Sequence, residues 1–174
     1  MITTQPTEQE VWQWLGDVPD PEIPVVSVTE LGIVRAIAYD DEETLVVTIT
    51  PTYSGCPATA VIRQMIEERL QSQGVARFRV VQRLSPAWTT DWLTNEARRK
   101  LKAFGIAPPV DGTAATGRMA ARAARLAGTA APQVPCPRCN SKNTEQVSQF
   151  GSTPCKAAYR CKDCLEPFDY FKCL

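Results

Sequence analysis

Apolar positions recur at helical spacing in three stretches of this chain and as β-branched runs in three others. Val11, Trp12, Trp14 and Leu15 form an apolar face that stops at Gly16. Thr7 stands three residues before Glu10 in the pattern of a capping box, so a first helix is expected there. Ile33–Tyr39 and Thr44–Thr50 are β-branched runs on either side of Asp40-Asp41-Glu42-Glu43, which predicts a hairpin. Ala58–Gln73 places Val61, Ile62, Met65, Ile66 and Leu70 on one helical face and ends at Gly74. Ala76–Leu84 returns as a strand. Asp91–Phe104 reads as a last helix bearing Trp92, Leu93, Ala97, Leu101 and Phe104, capped within Thr89-Thr90-Asp91 and stopped by Gly105. Helix, two strands, helix, strand, helix is the order of a small α+β domain over residues 1–108.

The pattern then breaks. Residues 109–133 are rich in Ala, Gly and Arg and offer almost nothing to pack, so they read as a linker. Gly117–Leu126 has helical composition, with Arg118, Arg122 and Arg125 on one face. A solvated face explains that stripe as readily as an acidic partner does. Residues 134–174 are too few to bury a core of their own. They carry Cys136-Pro-Arg-Cys139 and Cys161-Lys-Asp-Cys164, two C-x-x-C turns able to gather four thiolates into the tetrahedral sulfur set that zinc accepts. Zinc is the expected metal and iron its rival, because both take this donor set. Cys155 and Cys173 are left over, as buried small residues, substitute ligands or surplus thiols.

Composition narrows the chemistry by exclusion. The 174 residues include no histidine, which removes Ser-His-Asp and Cys-His catalysis and any di-iron site built on Glu-x-x-His pairs. No Gly-rich dinucleotide turn is present. Nineteen basic and nineteen acidic residues cancel, yet residues 1–108 carry −4 while the linker and the C-terminal segment carry +2 each. That asymmetry permits docking between segments and gives no strong nucleic-acid footprint. No apolar run suits a membrane span, and the polar start MITTQPTEQE lacks the features of an export signal, so a cytoplasmic protein is expected.

Two further groups carry candidate chemistry. Cys56 lies in Pro51-Thr-Tyr-Ser-Gly-Cys-Pro57, where a strand gives way to a helix. A cysteine there faces the positive end of the helix dipole, which favours the reactive thiolate; an inert buried cysteine is the alternative. Asp20-Pro-Glu22-Ile-Pro24 is a stiff acidic loop that offers carboxylate ligands or a local base, or simply a rigid turn.

These residues also carry a resemblance. DPEIPVVSVTELGIV, PTYSGCPA and SPAWTTDWLTNEAR resemble the signature stretches of the small iron–sulfur cluster assembly domain. With FGSTPCKAAYRCKDCLEPFDYFKC added, residues 7–108 and 134–174 resemble the D subunits of phenylacetyl-CoA epoxidase systems. The resemblance implies an α+β chain: a small mixed α/β iron–sulfur-assembly domain followed by a small β zinc ribbon. It implies an accessory subunit in aerobic phenylacetate degradation that matures or repairs the iron and iron–sulfur centres of the ring 1,2-epoxidase, without catalytic activity of its own. The implied partners are the epoxidase oxygenase and reductase subunits, with homo-oligomers left open and neither membrane nor nucleic acid expected. The family's Gly-Cys-Pro cysteine falls on Cys56 and its Asp-Pro-Glu aspartate on Asp20, the residues implied in cluster or iron transfer. The ribbon ligands fall on Cys136, Cys139, Cys161 and Cys164, implying a structural zinc, with iron or an iron–sulfur cluster as transient cargo. Asn140 departs from the glycine that commonly follows the knuckle, but Asn also tolerates positive φ. Two other classes fit parts of the chain. A nucleic-acid-binding ribbon would use Tyr159, Phe168, Tyr170 and Phe171 as stacking residues instead of core. A thiol enzyme would use Cys56 but lacks an evident general base.

Overall fold

A computed structural model describes residues 5–110 and 133–172. The helical stretch expected over Gly117–Leu126, its three arginines and Cys173 lie outside the described residues. The chain divides into two compact units, Met1–Trp88 and Thr89–Leu174. No described helix is long and apolar enough to cross a membrane.

In the first unit, α1 spans Glu8–Gly16. Its start is the expected capping box: Thr7 Oγ1 accepts the Glu10 N–H at 3.2 Å, and Glu10 Oε2 accepts the Thr7 N–H at 2.8 Å. These bonds, the backbone one foremost, hold the Glu10 carboxyl below its ordinary range. Only Val11 and Leu15 of the expected apolar face are fully buried; Trp14 is half-buried and Trp12 exposed.

Strands β1 (Val34–Tyr39) and β2 (Leu45–Ile49) pair antiparallel as the expected hairpin. Asp40 closes the turn, its Oδ1 accepting the Thr44 N–H at 2.8 Å and the Glu42 N–H at 3.1 Å. Helix α2 (Ala58–Ser72) carries the chain over to β3 (Phe78–Gln82), which pairs parallel to β2 and completes a sheet of order β1-β2-β3. A parallel pair needs such a crossover, and fifteen residues of helix provide it. On α2 the buried positions are Ala58, Ile62, Ile66 and Leu70, a single i, i+4 stripe; Val61 lies outside it and is exposed. Helix α2 packs against β3, and the buried positions of the sheet include Leu45, Val47 and Ile49, which alternate along β2, and Val80 on β3. Trp88, also buried, donates its indole N–H to the Leu31 carbonyl at 3.0 Å and so ties the end of this unit to the loop before β1.

The second unit departs from expectation at its start. The helix expected over Asp91–Phe104 is two pieces: a 3-10 turn at Thr90–Trp92, then α3 at Asn95–Phe104. Leu93 between them is extended (φ −64°, ψ 129°), and the real helix cap is Thr94, whose Oγ1 accepts the Ala97 N–H at 3.0 Å. Thr89 caps only the 3-10 turn, accepting the Asp91 N–H at 3.1 Å. Two competing cap residues five positions apart break what apolar spacing alone reads as one helix. Gly105 ends α3 at φ +94°, a left-handed position that suits glycine.

After Gly105 a two-residue strand, β4 (Ile106–Ala107), pairs parallel to β7 (Pro167–Phe171). With β5 (Thr144–Ser148) and β6 (Lys156–Cys161) it makes a sheet of order β4-β7-β6-β5. Helix α3, expected from the sequence to close the first domain, thus falls with β4 in the same unit as the cysteine ribbon. The small core here includes Ala107, Val134, Ala157, Tyr159, Phe168 and Tyr170. Tyr159 stacks on Phe168 and meets Tyr170 edge-on, so these aromatics serve as core.

Candidate metal centre and the cysteine turn

Both C-x-x-C segments lie in turns, one leading into β5 and the other leaving β6. Each turn is closed by bonds from backbone N–H groups. In the first, the Asn140 N–H reaches the Cys136 carbonyl and the Cys136 N–H reaches the Ser141 carbonyl, both at 2.9 Å. In the second, the Cys161 N–H reaches the Glu166 carbonyl at 2.9 Å and the Cys164 N–H approaches Cys161 Sγ at 3.5 Å. The residue after each knuckle has positive φ: Asn140 at +61° and Leu165 at +63°. Asn at the first was expected from the sequence; a leucine at the second was not.

The four sulfurs of Cys136, Cys139, Cys161 and Cys164 all lie within 4.8 Å of one another. Cys136 Sγ is 3.7 Å from Cys164 Sγ, and Cys139 Sγ is 3.6 Å from Cys161 Sγ. Tetrahedral coordination at a metal–sulfur distance of about 2.3 Å places sulfurs roughly 3.8 Å apart. The donor set and its spacing therefore fit a metal ion, and the four residues named from the sequence are those brought together. Cys136 and Cys161 are buried, whereas Cys139 and Cys164 form an exposed flank.

Crowded thiols do not ionise alike. The Cys164 N–H, and with it the Asp163 N–H and neighbouring thiols, draws Cys161 down to about 7. At Cys139 the Ser141 N–H pulls the same way, but lost hydration and the three other thiols outweigh it and push the group up to about 12.

Around the knuckles lies a polar shell that sequence reading missed. Asp163, between the second pair of cysteines, accepts from Ser141 Oγ and, at 2.7 Å, from Asn143 Nδ2. Those two bonds hold its carboxyl below the ordinary range. Arg138 and Glu166 pair across the knuckles at 2.8 Å. A polar residue inside C-x-x-C was the available signal, but nothing in it names the partner. Cys155 stands apart from the four-thiol group: it is buried, with its sulfur 3.0 Å from Thr153 Oγ1.

Cys56 occupies the turn between β2 and α2 and is half-buried. Its N–H reaches the Tyr53 carbonyl at 3.1 Å, and its carbonyl takes the Thr59 N–H at 3.2 Å, so the thiol sits where the helix begins. Pro57 supplies no side-chain cap, and the first turn of α2 holds no acidic residue. Its positive end is therefore not countered locally. Asp20 is buried in the loop after α1. Its Oδ1 accepts the Glu22 and Ile23 N–H groups at 2.9 and 2.8 Å, which folds the Asp-Pro-Glu-Ile-Pro stretch on itself. The same loop continues into a second reciprocal cap: Ser27 N–H to Glu30 Oε2 at 2.9 Å, and Glu30 N–H to Ser27 Oγ at 3.2 Å. The Ser-x-x-Glu spacing could have announced it.

Comparison with known proteins assigns the two halves separately and then together. The family described as iron-sulfur cluster assembly protein matches residues 8–81, and the PaaD zinc beta ribbon domain matches residues 120–172. An Escherichia coli protein, described as the D component of a "Putative 1,2-phenylacetyl-CoA epoxidase", is 46% identical over 169 residues, covering 97% of this chain and 94% of the relative. The chain belongs to the PaaD family, the D components of phenylacetyl-CoA epoxidase systems. An Fe-S protein maturation auxiliary factor from Porphyromonas gingivalis is 31% identical over 96 residues, which is 55% of this chain and 90% of that protein. A solved structure, a domain of unknown function from Bacillus anthracis, shares 27% identity at a TM-score of 0.50, covering 54% of this chain and 90% of its own. The PaaD family thus joins an assembly-type α+β unit, the part shared with these shorter relatives, to a four-cysteine ribbon suited to metal.

Proposed function

We propose that this chain is an accessory subunit of a phenylacetyl-CoA ring 1,2-epoxidase system, acting in the cytoplasm to mature or repair the iron or iron–sulfur centres of the epoxidase. The observation that carries the proposal is Cys56, half-buried at the uncapped start of α2 within an assembly-type domain. A thiol so placed can ligate iron or a cluster as cargo and pass it to an apoprotein by ligand exchange. In this reading Asp20 acts with Cys56 as an additional oxygen ligand or base. The ribbon holds zinc through Cys136, Cys139, Cys161 and Cys164, a closed four-thiolate set of the structural type. Its partners are the oxygenase and reductase subunits, and the relatives described as an epoxidase component and as a maturation factor support this reading.

The test is Cys56→Ser in phenylacetate-grown cells. The fold should survive, because the side-chain volume changes little, while the epoxidase accumulates with one of its metal centres short of iron. Asp20→Ala should give a milder form of the same defect. Normal growth and a fully metallated epoxidase in the Cys56→Ser strain would overturn the transfer role. Zinc content is read separately on the purified chain, where about one equivalent is expected and iron in its place would reassign the ribbon.

A further inference from the structure

We propose that Asp163 is a positioning residue of the four-thiolate centre, latching the two cysteine knuckles together so that metal is bound tightly and released slowly. This rests on the reading of the four cysteines as a metal site. The two C-x-x-C turns are far apart in sequence, yet their four sulfurs lie within 4.8 Å of one another. The pairing of β5 with β6 brings the turns together, and contacts between the turns themselves set their fine spacing.

Asp163 is placed to do this. It lies between Cys161 and Cys164, yet both of its oxygens are used by the other knuckle segment. Oδ2 takes the Ser141 hydroxyl, and Oδ1 takes the Asn143 amide at 2.7 Å. Those donors are themselves fixed. The Ser141 carbonyl accepts the Cys136 N–H at 2.9 Å, and Ser141 Oγ accepts the Asn143 N–H at 3.0 Å. The link is returned by backbone, the Lys162 N–H donating to the Asn143 carbonyl at 2.8 Å. Residues 141–143 and 162–163 therefore form a closed ring of hydrogen bonds against the sulfur cluster. Cys139 and Cys164 form the exposed flank, where a competing ligand would enter, so the latch bears on exchange as well as affinity. Asp163 is itself exposed, and removing its carboxylate opens no core.

Partners that orient metal ligands without touching the metal typically change affinity by about 10- to 100-fold when removed. The experiment uses the full chain and zinc ions alone, with a chromophoric chelator as competitor. Asp163→Ala should weaken zinc binding by about 10- to 100-fold and speed its loss to the chelator, with Asp163→Asn between wild type and Ala. Asn143→Ala should weaken binding in the same direction, and the Asn143→Ala, Asp163→Ala double variant should lose less than the product of the two single effects. Glu145→Ala, a change on β5 outside the knuckles that removes an exposed ion pair, should stay near wild type. Saturated with cobalt(II), the Asp163 variants should keep the visible spectrum of a tetrahedral four-thiolate site, showing that the ligands are intact and only their positioning has suffered. Zinc affinities of both Asp163 variants within twofold of wild type would overturn the inference alone. Failure of the variants to form the cobalt site at saturation would also overturn it, because Asp163 would then be needed for the fold itself. A wild-type chain that takes up no metal would overturn it together with the metal reading beneath it.

Discussion

Asp20, through Oδ1, and Asp163, through both oxygens, accept hydrogen bonds from donors that differ in where they lie along the chain. Those of Asp20 are the backbone N–H groups of Glu22 and Ile23, inside its own loop; those of Asp163 lie 20 and 22 residues away. The first arrangement is a local turn and is open to sequence reasoning; the second is created by strand pairing. Leu165 belongs with the second kind. At φ +63° a side chain other than Gly or Asn is strained, and this one is also exposed. Leu165→Asn is expected to stabilise the metal-loaded ribbon by about 1 kcal/mol, and β-branched Leu165→Ile to cost a similar amount. Thermal unfolding of the two variants at fixed zinc measures both. Gly151 is constrained by space: a Cβ there would stand 2.5 Å from Asp169 Oδ1 and 3.3 Å from the Lys156 backbone. Lys156 is buried, with its ammonium 3.6 Å from Asp169. Gly151→Ala should therefore displace that pair and destabilise the second unit by roughly 1–3 kcal/mol, read from denaturant midpoints.

Elements form where local bonding and long-range burial agree. Helix α1 has its capping box and α3 has Thr94, and each cap satisfies N–H groups that the helix cannot. Thr94→Ala should cost about 1 kcal/mol and Thr94→Ser much less, measured by equilibrium unfolding. Two caps in the first unit also predict its acid response. The Glu10 carboxyl is held below its ordinary 4.5 chiefly by the Thr7 N–H, and that of Asp40 below 3.8 chiefly by the Thr44 N–H. Both are lower when folded than when unfolded. The stability they add is therefore complete above the ordinary carboxylate range and is lost as pH falls through the lowered folded values. Urea midpoints between pH 6 and 2 should drop with acid, and the Glu10→Gln, Asp40→Asn double variant should flatten that dependence.

Along the full chain, the division at Trp88 makes a prediction that a boundary at 108 does not. Strand β4 pairs with β7 at Ile106–Asp169 and Ala107–Tyr170, so it belongs to the sheet whose other end carries the cysteine turns. Metal binding in such modules contributes about 10–16 kcal/mol of apparent folding free energy. Chelating the metal, or Cys139→Ser, should unfold the second unit and leave the β1-β2-β3 sheet protected. Hydrogen exchange should then show the β4 amides losing protection together with β5, β6 and β7. Retention of β4 protection after chelation would place it with the first unit.

Most elements and the four cysteines of the candidate centre were legible in the order of residues alone. Helical periodicity, the Thr7–Glu10 box, the hairpin about Asp40 and the two C-x-x-C turns all act over a few residues, the range over which backbone bonding and side-chain spacing operate. Even the position of Cys56 at a helix start followed from Gly55 and Pro57. Packing settled what depends on partners distant along the chain. β4 has two residues, too few for any period, and is a strand only because β7 offers it bonds. The break at Leu93 arose because Thr94 competes with Thr89 for the cap, which apolar spacing does not register. Which of the apolar residues on α2 are covered was decided by packing, and Val61 is exposed although its spacing suits a core. The latch at Asp163 exists only once β5 and β6 lie side by side, because a carboxylate can meet a hydroxyl and an amide twenty residues away only after the chain has paid the entropy of bringing them together.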